Sequence, residues 1–319
     1  MSRSTETQKR RAYSTTVLAS VVGLLVVPLA ARAVTRQRTE VDQALGHGQK
    51  AHQRTPVIFV HGCPPPPHTD QESLQFTRPM MDYLRARGYP VHYLRTYFNS
   101  GPVCDSSITQ AAQLAGLVDH VRAVTGARRV DIVAHSMGSV VTRLYLARWG
   151  GKSVRDVVAL GGPFHGSRVA GAAVEWQAEF GYPAYQGAKE AYPPYACKGR
   201  TVQAADIQFA LNGCLTPDGR TVLMDETRRD VDYLSIRNGL DEIVDPTESS
   251  CLNQRFQNDC SDTQVNVEVS VPPGPGPCGP DGSQDVCPAH VTMMWDPSVI
   301  RMTDDFLAGR TGRHHHDHD

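Results

Sequence analysis

A short apolar run that ends in a serine constrains this fold more than any other stretch of the sequence. Residues 130–134 are apolar and mostly β-branched apart from Asp131, which we interpret as structural; such a run is typical of a buried parallel strand. After Ser136, apolar residues recur at helical spacing until Gly150-Gly151, a pair typical of a helix end. The pattern predicts a strand, a sharp turn and a helix, with Ser136 on the turn.

This turn has a chemical use, because a serine hydroxyl is a weak nucleophile unless it is held exposed beside a base. A tight strand-to-helix turn lifts the side chain clear of the sheet and brings strand and helix so close that the residues two positions away must be small. Ala134 and Gly138 meet that demand. An ordinary turn with a capping serine gives the same short pattern, so the prediction of a nucleophile depends on partner residues elsewhere.

The first 33 residues are typical of a secretory signal peptide. Basic residues at 9–11 precede an apolar run at 17–31, and an Ala-Arg-Ala site follows at 31–33. The run is short for a membrane span, so an uncleaved anchor is the alternative interpretation. Cleavage would leave 27 basic and 32 acidic residues, a net charge of −5. This balance gives no electrostatic reason to expect nucleic acid as a partner.

All eight cysteines lie after that segment, and an even number fits disulfide bridges in an oxidising compartment. No two of them have C-x-x-C spacing, which argues against a zinc site or a thioredoxin-like site. Sequence alone does not fix the connectivity, and we take near neighbours as partners because each bridge then closes a local loop. The predicted bridges are Cys63–Cys104, Cys197–Cys214, Cys251–Cys260 and Cys278–Cys287. We therefore expect a secreted, extracellular protein.

Strands and helices alternate along the rest of the chain, which predicts a mostly parallel sheet with helices on both faces. About six strands are expected in this α/β arrangement, and helices are expected between them. The predicted strands are 57–60, 91–97, 130–134, 155–160, 231–236 and 265–271.

The predicted domain covers residues 55–310. A polar, flexible lead-in precedes it at 34–54, and a tail rich in His and Asp follows at 311–319, where a disordered tail is favoured over a metal site. The alternation is interrupted by insertions at 164–230 and 245–289. The first insertion begins at the carboxyl end of a strand and contains an aromatic cluster, so it is either a lid over the site or a surface insertion.

A serine nucleophile needs a histidine as base and a carboxylate to orient that histidine. In α/β hydrolases they follow the serine in the order Ser, Asp, His. His290 is the only histidine between the sixth strand and the tail, and a loop rich in Pro and Gly leads to it. The loop after the 231–236 strand offers Asp241, Glu242 and Asp245. We prefer Asp241, which lies nearest the strand end, and Asp245 is the alternative.

A second loop follows the first predicted strand. Gly62 permits a sharp turn there, and four prolines at 64–67 remove four backbone N–H groups. Cys63 is the last residue before His68 that can donate a backbone hydrogen bond. An α/β hydrolase places an oxyanion donor in such a loop, which makes Cys63 a candidate. A rigid surface loop is the alternative.

With these residues in place, the sequence resembles the secreted bacterial lipases of the small α/β-hydrolase type, called class 2 or Bacillus-type lipases. Such lipases have alanine at the first position of the serine turn. The likeness covers residues 55–165 and 231–310. The motifs that carry it are V-I-F-V-H-G at 57–62, A-H-S-M-G at 134–138, L-G-G-P at 160–163, D-E-I-V at 241–244 and His290.

The resemblance implies an α/β-hydrolase fold and a secreted lipase that cleaves ester lipids through an acyl-enzyme. It implies no cofactor and no required metal, and we expect a monomer that contacts lipid interfaces transiently. The Cys-Pro run and the long insertions depart from the family and leave the acyl-chain length open. By resemblance, Ser136 is the nucleophile, Asp241 the acid, His290 the base, and the backbone N–H groups of Cys63 and Met137 form the oxyanion hole. His61 and His165 are expected to line the substrate site.

Two other functions fit the same residues. An acyltransferase would pass the acyl group to an alcohol instead of water, and the same three side chains serve both reactions. A non-catalytic secreted binding protein on a hydrolase fold is the alternative from another class, and the intact set of nucleophile, acid and base argues against it.

Overall fold

The structure is a computed structural model, and it describes residues 54–62, 70–95, 107–169, 195–196, 214–215, 221–222, 227–253, 260, 265–276, 278 and 285–310. The predicted signal peptide, nearly all of the lead-in, the tail and most of the 164–230 insertion lie outside these residues, as do Cys63, Cys104 and Cys197. Within the described part, no helix has the length and apolar character needed to cross a membrane.

The described backbone consists of strands and helices in alternation, with two small sheets outside the main one. The strands are β1 (Val57–Val60), β2 (Val91–Tyr93), β3 (Val130–His135), β4 (Val154–Leu160), β5 (Tyr195–Ala196), β6 (Cys214–Leu215), β7 (Thr221–Val222), β8 (Asp232–Asn238), β9 (Asn266–Val269), β10 (Gly274–Gly276) and β11 (Asp285–Cys287). The helices are α1 (Asp70–Ala86), α2 (Ser107–Thr125), α3 (Met137–Trp149), α4 (Ala289–Thr292) and α5 (Pro297–Leu307), with a 3-10 helix at Thr247–Ser250.

The main sheet has six strands in the order β2-β1-β3-β4-β8-β9, and every neighbouring pair is parallel. The predicted parallel α/β architecture is therefore confirmed, and the protein has the α/β-hydrolase fold. The second strand is shorter than predicted within the described residues, since β2 ends at Tyr93 and the pairing stops there. The last helix, α5, runs from Pro297 to Leu307.

Both faces of the sheet are covered because successive side chains of a strand point to opposite faces. In β1, Val57 and Phe59 pack in the cluster that contains the apolar side chains of α1 and α5. Ile58 and Val60 pack instead in the cluster that contains those of α2 and α3. Each of the four is at most 3% exposed, and burying such a side chain contributes about 1.5–3 kcal/mol.

Parallel strands end at one common edge, and this edge is where an open α/β sheet binds its ligands. Ser136 follows β3 there, Gly161 follows β4, and the loop with Asp241 follows β8. After β9 the chain forms the antiparallel β10–β11 hairpin and enters α4, which contains His290. The fold thus brings the predicted catalytic residues, which are up to 154 positions apart, to the same end of the sheet.

The opposite edge of the sheet, where the strands begin, contains buried carboxylates paired with arginines. Asp304 of α5 is 1% exposed and accepts hydrogen bonds from Arg87 (3.2 Å), Arg310 (2.6 Å) and the Tyr89 hydroxyl (3.1 Å). Arg54, just before β1, also reaches it at 3.4 Å. One carboxylate therefore joins the start of the first strand, the turn before β2 and the last helix.

A second pairing at this edge involves Asp131 of β3 and Asp156 of β4, both with no exposed surface. Arg155 donates through Nε to Asp131 (2.8 Å), lies 3.2 Å from Asp156 and donates to the Leu307 carbonyl at 2.8 Å. Burial lowers the pKa of Arg155, but the hydrogen bond and charge of Asp131 outweigh it, so the pKa is raised. We call the following residues the basal cluster: Asp131, Asp156, Asp304, Arg54, Arg87, Arg155 and Arg310.

Candidate active site

The turn after β3 holds Ser136 in a backbone conformation that side-chain-bearing residues rarely adopt. Its φ is 53° and its ψ is −129°. A residue in such a sparsely populated region costs on the order of 1–3 kcal/mol and persists only when neighbouring contacts enforce it. Here the Ser136 N–H donates to the Leu160 carbonyl of β4 at 2.9 Å, and its carbonyl accepts from the Ser139 N–H at 2.9 Å. The turn is thus fixed by the next strand and by the first turn of α3.

Two glycines allow the chain to pass close to this serine. A Cβ added at Gly138 would lie 2.2 Å from the Val60 carbonyl oxygen, and one added at Gly62 would lie 2.4 Å from the Cβ of Ser136. Neither distance is possible for real atoms, so both positions require glycine. The small residue predicted at position 138 is therefore explained by the contact between α3 and the end of β1. The backbone after β1 lies directly against Ser136.

His290 and Asp241 form a buried pair beside this turn. The Nδ1–H of His290 donates to Oδ2 of Asp241 at 2.6 Å, and the two side chains are 5% and 1% exposed. Asp241 also accepts from the backbone N–H groups of Ile243 and Val244, each at 2.8 Å. Desolvation raises the pKa of Asp241, but the charge and hydrogen bond of His290 and the two N–H donors lower it below 3.8. Asp241 is therefore ionised at neutral pH.

This hydrogen bond sets the tautomer of His290. Because Nδ1 faces a carboxylate, it holds the proton, and Nε2 of the neutral ring is left as an acceptor. Within the described part of the chain, the buried Nε2 of His290 has no hydrogen-bond partner. A buried acceptor without a partner is unfavourable in a resting structure, and it is the feature that a base needs.

The residue after β4 lies next to both the serine turn and the His–Asp pair. Gly161 has a φ of 54°, and a Cβ added to it would lie 3.1 Å from Oδ2 of Asp241 and 3.2 Å from Cε1 of His290. The preceding residue, Leu160, accepts the hydrogen bond from the Ser136 N–H. On the other side, Nε2–H of His135 donates to the His290 carbonyl at 2.9 Å. The structure therefore brings the predicted nucleophile, acid and base into one neighbourhood.

Of the two predicted oxyanion donors, Met137 lies within the described residues and Cys63 does not. Met137 is the first residue of α3, and backbone N–H groups in the first turn of a helix have no acceptor within that helix. Such N–H groups favour negative charge. Cys63 lies outside the described residues, so its role stays a prediction, although Gly62 before it contacts Ser136.

The two histidines expected to line the substrate site are both buried and bonded to backbone carbonyls. His61 donates through Nδ1 to the Gly62 carbonyl at 2.6 Å, and its ring stacks on Tyr93 at 5.3 Å. His165 donates through Nε2 to the Cys251 carbonyl at 3.0 Å. These contacts support the loops after β1 and β4, and contact with a substrate stays a prediction.

Three side chains near His290 have contacts that the sequence did not indicate. His135 bonds the His290 carbonyl, as described above. Asn238, at the end of β8 and fully buried, donates to the Ala289 carbonyl at 3.0 Å. Glu242 accepts from the Ala289 N–H at 3.0 Å. The sequence does place a polar residue, Asn238, at the end of a buried strand. It does not indicate that the partner of Asn238 is Ala289, which lies 51 residues later.

Two of the four predicted disulfide bridges are formed in the structure, Cys251–Cys260 and Cys278–Cys287, each with a Cα–Cα distance of 5.6 Å. The second bridge spans the hairpin that ends three residues before His290. Each of the other two predicted pairs includes a cysteine outside the described residues. Among the described residues, no group of three or more His, Cys, Asp or Glu side chains could hold a metal ion.

Comparison with known proteins finds a family model that matches part of the chain. Residues 54–202 match the family model for class 2 lipases. Among solved structures, the mature form of the Bacillus licheniformis lipase BlEst2 is 20% identical over 46% of this chain and 57% of that chain, with a TM-score of 0.35. Aspergillus fumigatus lipase B is 17% identical over 80% of this chain and 53% of that chain, with a TM-score of 0.45.

A third similar structure is the product of gene lin2722 from Listeria innocua. It is 15% identical over 80% of this chain and 94% of that chain, with a TM-score of 0.42. The chain thus spans little more than half the length of the two lipases that it matches, 57% and 53%, and nearly the full length of the Listeria protein.

Proposed function

We propose that this chain, whose residues 54–202 match the family model for class 2 lipases, is a secreted carboxylic ester hydrolase of the lipase or esterase kind, with Ser136, Asp241 and His290 as its catalytic residues. The observation that supports this most strongly is the 2.6 Å His290–Asp241 hydrogen bond beside the strained Ser136 turn.

The proposed reaction begins with proton transfer from serine to histidine. Nε2 of His290 accepts the Ser136 proton as Oγ attacks the ester carbonyl carbon. Asp241 stays ionised and stabilises the imidazolium that forms. His290 then protonates the leaving alcohol oxygen, which leaves an acyl-enzyme on Ser136. A water molecule, deprotonated by the same nitrogen, attacks the acyl carbon. The bond between that carbon and Ser136 Oγ then breaks, His290 returns the proton to Oγ, and the carboxylic acid is released.

The negative charge that develops on the carbonyl oxygen is proposed to be stabilised by the backbone N–H groups of Met137 and Cys63. Each such donor is worth about 10²–10³-fold in kcat. Two contacts support this arrangement. Met137 begins a helix, and Gly62 packs against Ser136, which brings the chain that enters Cys63 next to the nucleophile.

An ester lipid is the substrate class that the family implies, and exposed apolar side chains beside the acid loop support it. Leu240 and Ile243 lie on either side of Asp241 and are 49% and 36% exposed. Val169, 44% exposed, lies on a segment that bonds the Ile243 carbonyl through Ser167. We propose that this edge contacts a lipid interface transiently and that the 164–230 insertion covers the site. Secretion is supported by the two disulfide bridges.

The test is labelling with a fluorophosphonate serine probe, together with hydrolysis of a soluble nitrophenyl ester. The wild type should be labelled at one serine and should hydrolyse the ester. Ser136→Ala should not be labelled and should lose on the order of 10⁶ in kcat without a change in unfolding temperature. Ser298→Ala, on an exposed helix start, is the matched control and should behave as the wild type. Retention of more than a few per cent of activity by Ser136→Ala would show that Ser136 is not the nucleophile.

The same assay separates hydrolysis from acyl transfer. With an added alcohol acceptor, a hydrolase should still release mainly free acid. Predominant ester product would instead identify an acyltransferase that uses the same three residues.

A further inference from the structure

The backbone at Ala289 and His290 is bonded by side chains from three other parts of the chain. The Ala289 N–H donates to Glu242 at 3.0 Å, and the Ala289 carbonyl accepts from Asn238 at 3.0 Å. The His290 carbonyl accepts from Nε2–H of His135 at 2.9 Å. Together with the bond from the ring to Asp241, these contacts hold the residue at its carbonyl, at the peptide group before it and at its side chain.

Local structure does not define the position of His290. It lies in α4, which has only four residues and follows a proline whose side chain makes no capping hydrogen bond. Helices this short are not stable by themselves in water. The hairpin before it is also short, with three residues in each strand. The orientation of the ring therefore depends on tertiary contacts.

His135 is suited to one of these contacts in a way that a surface residue is not. Its ring centroid lies 4.6 Å from that of His290, and the residue is 8% exposed. Burial, together with the neighbouring His290 ring, lowers the pKa of His135 to about 3, although the hydrogen bond to the His290 carbonyl opposes this shift. The ring is consequently neutral near pH 7. It donates one fixed hydrogen bond without adding a second positive charge beside the imidazolium that forms during the reaction.

We propose that His135 and Glu242 are positioning residues, which hold the backbone of residues 289–290 from two sides so that Nε2 of His290 faces Ser136. This inference rests on the proposed function. Neither residue touches the reacting atoms; each acts through His290. A displacement of a catalytic group by about 1 Å can lower the rate by on the order of 10²-fold, so loss of either hydrogen bond should lower kcat more than it changes KM.

The test uses matched pairs of variants. His135→Gln keeps an N–H donor close to the position of Nε2, whereas His135→Met has similar bulk and no donor. Glu242→Gln keeps a side-chain oxygen acceptor, whereas Glu242→Met does not. We expect both Met variants to lower kcat by roughly 10- to 100-fold with an unchanged KM, and both Gln variants to recover most of it. Glu242 is exposed, so its pair decides the inference even if His135→Met does not fold.

A second measurement does not depend on activity. The Nδ1 proton of His290, in a short bond to a carboxylate, should give a far-downfield proton resonance, identified by its loss in Asp241→Asn. The resonance should shift or broaden in the Met variants and persist in the Gln variants. If the two residues had a purely structural role, the Met variants would have a lower unfolding temperature. They would show the wild-type resonance and no fall in kcat at constant KM.

The outcomes separate the two proposals. If the wild type is neither labelled by the fluorophosphonate nor active on esters, the proposed function fails, and the resonance still decides whether the two residues hold His290. If the Met variants keep the wild-type kcat and the wild-type resonance, the inference is overturned while the proposed function stands. Equal loss in Gln and Met variants would also overturn it, because the hydrogen bonds would then not be the cause.

Discussion

The two edges of the sheet both contain buried carboxylates, but they differ in what those carboxylates bind. At the carboxyl edge, Asp241 is bound by one histidine and two backbone N–H groups. At the opposite edge, Asp304 is bound by three arginines and a tyrosine hydroxyl. The side chains of both aspartates are 1% exposed, so burial does not distinguish them.

The difference lies in the partners. A histidine can gain and lose a proton near neutral pH and has a second ring nitrogen, whereas an arginine stays charged and can only donate. His290 therefore can transfer a proton, and in the described part of the chain its Nε2 has no hydrogen-bond partner. The basal cluster can only hold elements together. The type of partner therefore distinguishes a carboxylate that can support proton transfer from one that only joins structural elements.

The largest expected effect is on catalysis at the carboxyl edge. Asp241→Asn should lower kcat by roughly 10⁴, because an amide in that position favours the wrong tautomer of the histidine. Steady-state kinetics on one soluble ester, with the unfolding temperature measured in parallel, check this.

Asp245→Asn is the matched control for that variant. Asp245 pairs with Arg168 on the surface at 2.5 Å, and because both side chains are exposed to solvent the pair contributes little to stability. It should keep the wild-type kcat. If Asp245→Asn were the inactive variant, the acid would be Asp245, and the assignments of Ser136 and His290 would be unaffected.

The second prediction is that a substitution at the opposite edge lowers stability and leaves kcat unchanged. Asp304→Asn removes the negative charge that three arginines share. It should lower the free energy of unfolding by about 3 kcal/mol. This is the low end of the range for breaking a buried ion pair, because the arginines are partly exposed. The kcat of the folded fraction should not change. Denaturant titration measures the first quantity, and Asp305→Asn, an exposed neighbour that also binds Arg310, is the control. A fall in kcat without a change in the free energy of unfolding would contradict a purely structural role for Asp304.

The third prediction concerns acid. The pKa of Asp241 is below its ordinary 3.8, so its contribution to stability is fully present above about 3.8 and is lost as the pH falls through the lowered pKa. Asp241→Asn has no such group to titrate. The wild type should therefore lose more stability than the variant between about pH 4 and pH 2. Parallel curves of unfolding free energy against pH would show that the His290–Asp241 pair does not stabilise the fold.

The smallest expected effect concerns the start of α5, and it tests whether this helix contributes to stability without affecting catalysis. Asp296 caps α5 by accepting from the N–H groups of Ser298 (2.8 Å) and Val299 (3.2 Å). Asp296→Ala should lower the free energy of unfolding by about 1 kcal/mol, and Asp296→Asn, which keeps a capping oxygen, should lose less. Neither should change kcat on the soluble ester. A drop in kcat for the alanine variant alone would mean that the helix start also positions His290.

Most of the main sheet could be predicted from the sequence because the signals are local. The serine turn follows from small residues two positions away and from the change from an apolar run to helical spacing. Among three neighbouring candidates for the acid the sequence favoured Asp241, and in the structure Asp241 is the residue bonded to His290.

The remaining contacts had no local signal. His135 and His290 are 155 residues apart, and Arg54 and Asp304 are 250 residues apart. A single buried polar residue predicts that some partner exists but does not say which one. The sequence therefore predicted Ser136 and His290 as candidates but not the side chains that bond the backbone of Ala289 and His290, and it did not predict the basal cluster.

The last helices also have a consequence for the order in which the molecule is made. His290 at one edge and Asp304 at the other lie within fifteen residues of each other, in α4 and α5. A ribosome releases the chain from its amino end, so β1 to β8 are synthesised well before either residue. Every nascent chain shorter than about 290 residues lacks the proposed base, and every one shorter than about 304 lacks the carboxylate that binds Arg54, Arg87 and Arg310. The proposed base and the closing ion pairs therefore become available together, after β1 to β8 have been synthesised.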